Sequence, residues 1–329
     1  MNAIAGRYRP EQLYDDPERL GAALTGRVLP LVARPARYLG GEVGAARPPW
    51  RDDRANLLLA FPDAYEIGMS HTGLRALYAL LNRDPAAAFA DLAFAPWPDA
   101  EAQLRAEGMP LFGLASRRPA RAFDAVGFSL GYELGFTNVL TMLDLSGVPL
   151  RARDRRDGDP LVIAGGASAA NPAVLGEFID LFFPGDGEEV VLEIAAALRD
   201  GKAAGEGRAA RLARVAAVPG AWDPRAAGAR RPVRPRTLAD LDRFPPPAGP
   251  VPVVETVHDR LTLEVMRGCT RGCRFCQAGM LQRPVRERDP GRLVEAAAAA
   301  IARTGWNEVS LLSLSTADYT GLGATATRW

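Results

Sequence analysis

Between residues 56 and 198, short apolar runs alternate with segments whose apolar residues recur at helical spacing. That alternation is the mark of a parallel, doubly wound sheet. The spacing predicts strands over 56–61, 91–95, 125–130, 161–164 and 181–183, and helices over 72–82, 101–107, 135–145, 173–179 and 188–198. In such sheets ligands gather at the carboxyl ends of the strands, near the point where strand order reverses. The loops at those ends cover 62–73, 129–135, 165–172 and 184–189 and are rich in glycine and polar residues. Glycine permits close backbone approach, and helix starts attract polar or anionic groups. None of these loops spells G-x-G-x-x-G or a Walker motif, which argues against nucleotide binding.

The pattern changes after Lys202. Residues 202–252 are rich in proline and arginine, ending in Phe244-Pro-Pro-Pro-Ala-Gly-Pro-Val-Pro252. This composition predicts an extended linker. Apolar periodicity returns with a strand over 261–266 and an alanine-rich helix over 291–304, with Asp289 as N-cap, Pro290 at the first helical position and Gly305 as the stop. A second strand over 308–314 follows, so the order is β-loop-α-β, the opening of a parallel (β/α) barrel whose active site forms at the carboxyl ends of its strands. Residues 320–329 show no clear periodicity, and the expectation is a chain that ends inside its barrel, as a truncated frame or a fragment would. An open pair of parallel strands otherwise exposes an edge. The divisions expected are an extension over 1–55, an α/β domain over 56–201, a linker over 202–258 and an incomplete barrel over 259–329.

The candidate chemistry is concentrated in one loop. The chain has three cysteines, Cys269, Cys273 and Cys276, spaced C-x3-C-x2-C directly after the 261–266 strand. Thiolate-rich sites select iron-sulfur clusters, zinc or Cu(I). Structural zinc takes four Cys or His ligands, and the two histidines, His71 and His258, do not adjoin the loop. Three thiolates would leave one iron of a cubic cluster open to a small molecule. An incomplete zinc site and a group of buried thiols are the alternatives.

The run Glu264-Val-Met-Arg-Gly-Cys-Thr-Arg-Gly-Cys-Arg-Phe-Cys276 resembles the signature of the radical S-adenosylmethionine (SAM) superfamily. The resemblance implies that Cys269, Cys273 and Cys276 bind a [4Fe-4S] cluster, with SAM on the fourth iron and Phe275 packing near its adenine. Electron transfer would then cleave SAM to methionine and a 5'-deoxyadenosyl radical, chemistry carried by the cofactor. In that family the end of the second strand contacts the SAM amino group. Ser313, Ser315 and Asp318 stand at that place, although the usual Gly-Gly-Glu is absent. Ordinary strand-end turn residues are the other reading.

The loops of the first domain, with Pro35-Ala-Arg-Tyr-Leu-Gly-Gly-Glu42, look like those of the radical SAM subgroup whose N-terminal domain has the cobalamin-binding fold. By that resemblance Tyr65, Glu66, Gly68, Ser129, Gly165 and Gly166 frame a corrinoid. The D-x-H-x2-G cobalamin signature is absent, so His71 reads as a helix-start residue rather than a cobalt ligand. Corrinoid binding without a protein ligand, and loss of cobalamin with retention of the fold, both remain open. The expected fold is thus α/β: a cobalamin-binding-like doubly wound sheet, then the start of a radical SAM barrel. The implied activity is radical generation, with methyl transfer if corrinoid binds, an unidentified substrate and a flavodoxin- or ferredoxin-type reductant. A non-catalytic metal-binding protein or an inactive remnant is the alternative.

Composition narrows the class of protein. The net charge is +1, with 40 basic and 39 acidic residues, which gives no dominant nucleic-acid footprint. Lys202 is the sole lysine. The arginine runs 151–155 and 230–236 are expected to be solvated loops. Glu188 and Glu189 suit the first turn of a helix, where the dipole favours anions. The N-terminus lacks a signal-peptide core and no apolar run is long enough to span a membrane. With reduced thiols and an oxygen-sensitive cluster, the expected compartment is the cytoplasm.

Overall fold

A computed structural model describes residues 8–226 and 234–328. Arg230 and Arg231 of the second arginine run, and the 1–7 segment, lie outside the described residues. Helix α1 (Pro17–Ala23) begins at Asp16, whose carboxylate accepts from the Glu18 and Arg19 amides, with Pro17 at the first position. Tyr14, Leu20 and Ala23 are buried in the core of the first domain, so the stretch before residue 55 packs on the sheet.

Strands β1 (Ala55–Phe61), β2 (Ala88–Phe94), β3 (Ala125–Ser129), β4 (Leu161–Gly165) and β5 (Leu181–Phe183) form one parallel sheet in the order β2-β1-β3-β4-β5. All seven positions of β1 are buried, as expected of a strand covered on both faces. The register sets Leu59 beside Leu92 and Gly127, and Gly127 beside Ile163. Helices α2 (Tyr65–Ser70), α3 (Thr72–Leu81), α4 (Pro98–Ala106) and α5 (Phe136–Leu145) lie in the crossovers, and α6 (Glu188–Ala203) follows β5 and packs on α3 and β1. The strand order reverses between β1 and β3, and their carboxyl ends frame the switch point.

Several expectations change. Strand β2 starts at Ala88, before the expected 91, and α4 starts at Pro98 rather than 101. No helix forms over 173–179; the crossover consists of the 3-10 turn Ala167–Ala170 and a succession of turns. Pro172 removes an amide donor, and Gly176 is a poor helix former.

Part of the expected extended linker is structured. Helix α7 (Arg208–Ala216) packs on α6. Beyond it, Trp222 exchanges backbone hydrogen bonds with Phe182, and Arg236 bridges to Gly185. Arg155, expected in solvent, has a fully buried side chain paired at 2.9 Å with Asp180, itself buried at the head of β5. Arg208 pairs with the same carboxylate. Arg236 is likewise held, by Glu189 and Glu193. A buried carboxylate must be paired, and this one recruits arginines distant in sequence.

The second unit starts with β6 (Leu261–Glu264) and β7 (Met266–Arg267), a break at Val265 in what the sequence predicts as one strand. Helix α8 (Ala278–Leu281), β8 (Arg286–Glu287), α9 (Pro290–Thr304), β9 (Val309–Leu312) and α10 (Leu322–Arg328) follow. The last helix lies where the sequence showed no periodicity. β6 pairs in parallel with β9, and β7 pairs antiparallel with β8. Asp289 caps α9 through the Arg292 amide, Pro290 is its first residue and Gly305 ends it at φ 72°, as predicted. Leu261, Leu263 and Val265 pack with Leu293, Ala297, Ala300 and Trp306 in a second core.

Candidate metal and cofactor site

The cysteine loop is an excursion whose base is clamped by the β7/β8 pair. Gly268 opens it at φ 85°, and a Cβ there would lie 2.7 Å from the carbonyl oxygens of Gln282 and Pro284, so the two ends of the loop meet only because this residue is glycine. Cys269 is buried, Cys276 half-buried and Cys273 exposed. The Cys276 amide donates to the Cys273 carbonyl at 3.0 Å, which turns the chain between them. The Arg271 amide points at Cys269 Sγ and the Gly279 amide at Cys276 Sγ, both at 3.4 Å. Backbone donors aimed at sulfur suit a thiolate. Among the described residues no three Cys, His, Asp or Glu side chains converge as a ready metal cage; the loop offers three thiols that stand apart. The three-thiol donor set fits an iron-sulfur group; of the two histidines, His71 caps α3 in the first domain and the His258 backbone amide donates to Ser70 Oγ.

The end of β9 reaches this loop. Asp318 accepts from Arg271 Nε at 2.6 Å and from its guanidinium a second time, and Ser315 Oγ donates to Asp318 Oδ2 at 2.7 Å. Arg271, followed by Ser315, holds the Asp318 carboxyl below the usual carboxylate range. Ser313 Oγ is engaged with Thr316 Oγ1 at 2.9 Å and accepts from the Ser315 amide. The structure therefore joins the two sequence-predicted places, cysteine loop and second strand end, through Arg271. Phe275 is 92% exposed at the tip.

The first-domain candidates divide into two groups. Ser129 and Gly165 are register partners at the carboxyl ends of β3 and β4. Gly166, at φ 99°, follows so close to Leu130 that a Cβ would sit 2.7 Å from its carbonyl oxygen. These three come together at the carboxyl ends of β3 and β4, and α8 of the cysteine loop stands against the neighbouring Ala167–Ala170 turn. Tyr65, Glu66 and Gly68 are instead turned inward. Tyr65 donates to Glu42 and accepts from the Val253 amide, Glu66 accepts from Arg34 and Arg37, and Gly68 packs on Phe94. They build the loop rather than line it.

His71 occupies the N-cap of α3, where Nδ1 accepts from the Leu74 amide at 3.0 Å. Its ring lies beside Phe61, and Nε2 faces Gly131 at the switch point. Burial lowers its pKa. Nearby, Tyr132 donates to Asp63, and burial followed by that carboxylate pushes the phenol up to about 12.

The sequence reading missed the contacts that seat the cysteine loop on the first domain. Arg267, two residues before Cys269, reaches Asp186 at 2.8 Å, Glu188 at 2.7 Å and Glu264 at 2.8 Å. Arg286 of β8 also pairs with Asp186, and Arg288 donates to the Leu241 carbonyl. Glu188 does stand in the first turn of α6, as expected, and in addition serves this junction. The available signal was Arg267 beside the motif, but nothing local names its partners.

A parallel sheet with a switch point, joined to a three-thiol loop after a second short parallel strand pair, defines an α/β protein of two parts. Residues 73–224 match the family of N-terminal domains of radical SAM proteins, and residues 263–326 match the radical SAM superfamily. The chain belongs to the radical SAM superfamily. Among solved structures it is similar to the radical SAM methyltransferase TsrM from Kitasatospora setae, at 15% identity and TM-score 0.50 over 83% of this chain and 49% of that one, in a structure with tryptophan substrate and a SAM analogue bound. A second TsrM structure, with cobalamin and a [4Fe-4S] cluster, gives 16% identity, TM-score 0.51 and coverage of 84% and 50%. The cobalamin-dependent SAM radical enzyme OxsB, with aqua-cobalamin bound, gives 13%, 0.51, 80% and 34%. The chain thus spans half or less of each of these proteins, and the likeness is one of fold. No curated protein matches it significantly. Among the described residues no helix is long and apolar enough to cross a membrane.

Proposed function

We propose that Cys269, Cys273 and Cys276 hold a [4Fe-4S] cluster and that the chain works as a radical SAM enzyme. The observation that carries this reading is the single loop bearing all three thiols, two of them facing backbone amides, at the carboxyl end of β6. Bound there with SAM, the cluster would supply one-electron cleavage of the sulfonium to methionine and a 5'-deoxyadenosyl radical. The chain's own part is binding and orientation. Gly268 closes the base of the loop, the Arg271–Asp318–Ser315 chain of contacts ties it to β9, and exposed Phe275 offers a flat apolar face for an adenine. Exposed Cys273 lies open to a small reductant protein of the flavodoxin or ferredoxin type.

A corrinoid is the second proposed cofactor, supported by the carboxyl ends of β3 and β4, beside the switch point, where Ser129, Gly165 and Gly166 meet near the cysteine loop. His71 would not ligate cobalt through Nδ1, which is committed to the helix cap. Methyl transfer to an unactivated carbon is the reaction this pair of cofactors serves.

Anaerobic iron-sulfur reconstitution followed by electron paramagnetic resonance tests the reading. A [4Fe-4S] signal that changes on adding SAM is expected, and Cys273→Ala should abolish cluster assembly while leaving the first domain folded. Iron content unchanged by Cys273→Ala, or a stable zinc site instead, would sink it.

A further inference from the structure

The contacts of Arg267 suggest a role beyond holding two domains together. Its backbone leads through Gly268 directly to Cys269, while its side chain, 14% exposed, turns the other way. Nε and Nη2 make a two-point contact with Glu264 at 2.9 and 2.8 Å, and the remaining donors reach Asp186 and Glu188 of the turn that joins β5 to α6. That turn is held in its own right. Asp186 accepts from the Leu238 amide at 2.7 Å and pairs with Arg286, and a Cβ on Gly185 would lie 2.2 Å from the Arg236 carbonyl oxygen. A guanidinium held by three carboxylates has one orientation, and a planar fork fixes direction as a flexible ammonium does not. The residue that opens the cysteine loop is therefore aimed by a loop at the carboxyl end of the first sheet, where ligands of such sheets gather.

We propose that Arg267 is a positioning residue through which the Asp186–Glu188 turn of the first domain sets the seating of Cys269, so that the state of the first domain is read at the thiol loop. The inference deepens the proposed function by naming what orients its metal ligands. It requires that removal of a first-domain carboxylate, far from the loop in sequence, loosen Cys269 itself.

The test is made on the intact, metal-free chain by mass-spectrometric timing of iodoacetamide alkylation at each cysteine, and then on the reconstituted chain. In the unaltered protein exposed Cys273 reacts quickly and buried Cys269 slowly. Arg267→Met and Glu188→Gln should each speed alkylation of Cys269 about tenfold, with Cys273 unchanged, as local opening replaces a held conformation. Arg267→Lys should fall between. Glu308→Gln, in the exposed pair with Arg260, is the control and should change neither rate. After reconstitution both junction variants should bind iron about tenfold more weakly, the scale of losing an outer-shell partner. Protection of Cys269 in Glu188→Gln equal to the unaltered chain overturns the proposal, even if Arg267→Met loosens the loop, because the influence would then be local. Should Arg267→Met fail to fold by circular dichroism, Glu188→Gln decides. If the unaltered chain takes up no iron, the enzyme reading fails while the alkylation rates still decide this one.

Discussion

The five-stranded sheet and the cysteine-bearing unit bury their strands in different ways. Every residue of β1 and β2 is buried, and helices or loops cover both faces. In β9 no residue is fully buried; Leu312 is 42% exposed and nearby Leu314 is 41% exposed. The first region therefore draws its stability from a closed apolar core, the dominant favourable term in folding. The second has a smaller core, built around β6 and α9, and is seated by charge: Arg267, Arg286 and Arg288 reach Asp186, Glu188 and the Leu241 carbonyl across the junction. The cysteine loop sits on the less self-sufficient region, where local opening costs least.

The largest effect should come from breaking the closed region at the buried charge cluster around Asp180. Asp180→Asn removes the charge that Arg155 and Arg208 share, leaving buried guanidinium groups uncompensated. A loss of about 3–5 kcal/mol is expected, read by chemical denaturation as a lower midpoint for the first region. An unaltered midpoint would mean that this region is not as closed as its burial indicates. A smaller loss is expected at the centre of the second core. Leu263→Ala opens space between β6 and α9 and should cost about 2–5 kcal/mol, with proteolysis appearing within residues 261–312 while the sheet persists. Simultaneous loss of both regions would show one cooperative unit and erase the distinction between them.

What the sequence made legible follows the same division. Strands β1 and β3 stood out because a strand buried on both faces is a continuous apolar run, and α9 because its cap, first proline and terminal glycine are all local signals. The cysteine triplet was legible because its three thiols lie in one loop. Residues 173–179 carry apolar spacing that imitates a helix, yet Pro172 and Gly176 divert them into turns. Arg155 was illegible for another reason: its partner Asp180 is distant in sequence, and only the fold brings the charges together. The Arg267 junction shares that origin. The break at Val265 was hidden because apolar residues continue through it, at Leu261, Leu263, Val265 and Met266, while the antiparallel partner of β7 comes from beyond the cysteine loop.

The smallest expected effect concerns His71, where the closed region meets the switch point. Its Nδ1 accepts from the Leu74 amide, so protonation there destroys the cap, and burial holds its pKa below the ordinary histidine value. The sign follows from proton uptake: below about pH 6.5 the unfolded chain protonates this histidine while the folded chain resists. The stability it contributes is thus present above that pH and is lost as pH falls toward the folded-state value. His71→Ala should cost about 1 kcal/mol at neutral pH through loss of the cap. His71→Asn supplies a good capping oxygen with no titratable group, so it should keep most of that stability and flatten the slope below pH 6.5. Denaturation midpoints across pH 5 to 8 make the measurement. An Asn variant that keeps the full slope would place the titration elsewhere and leave His71 as a cap alone, whereas a flattened slope would make the switch-point edge the acid-sensitive part of an otherwise closed region.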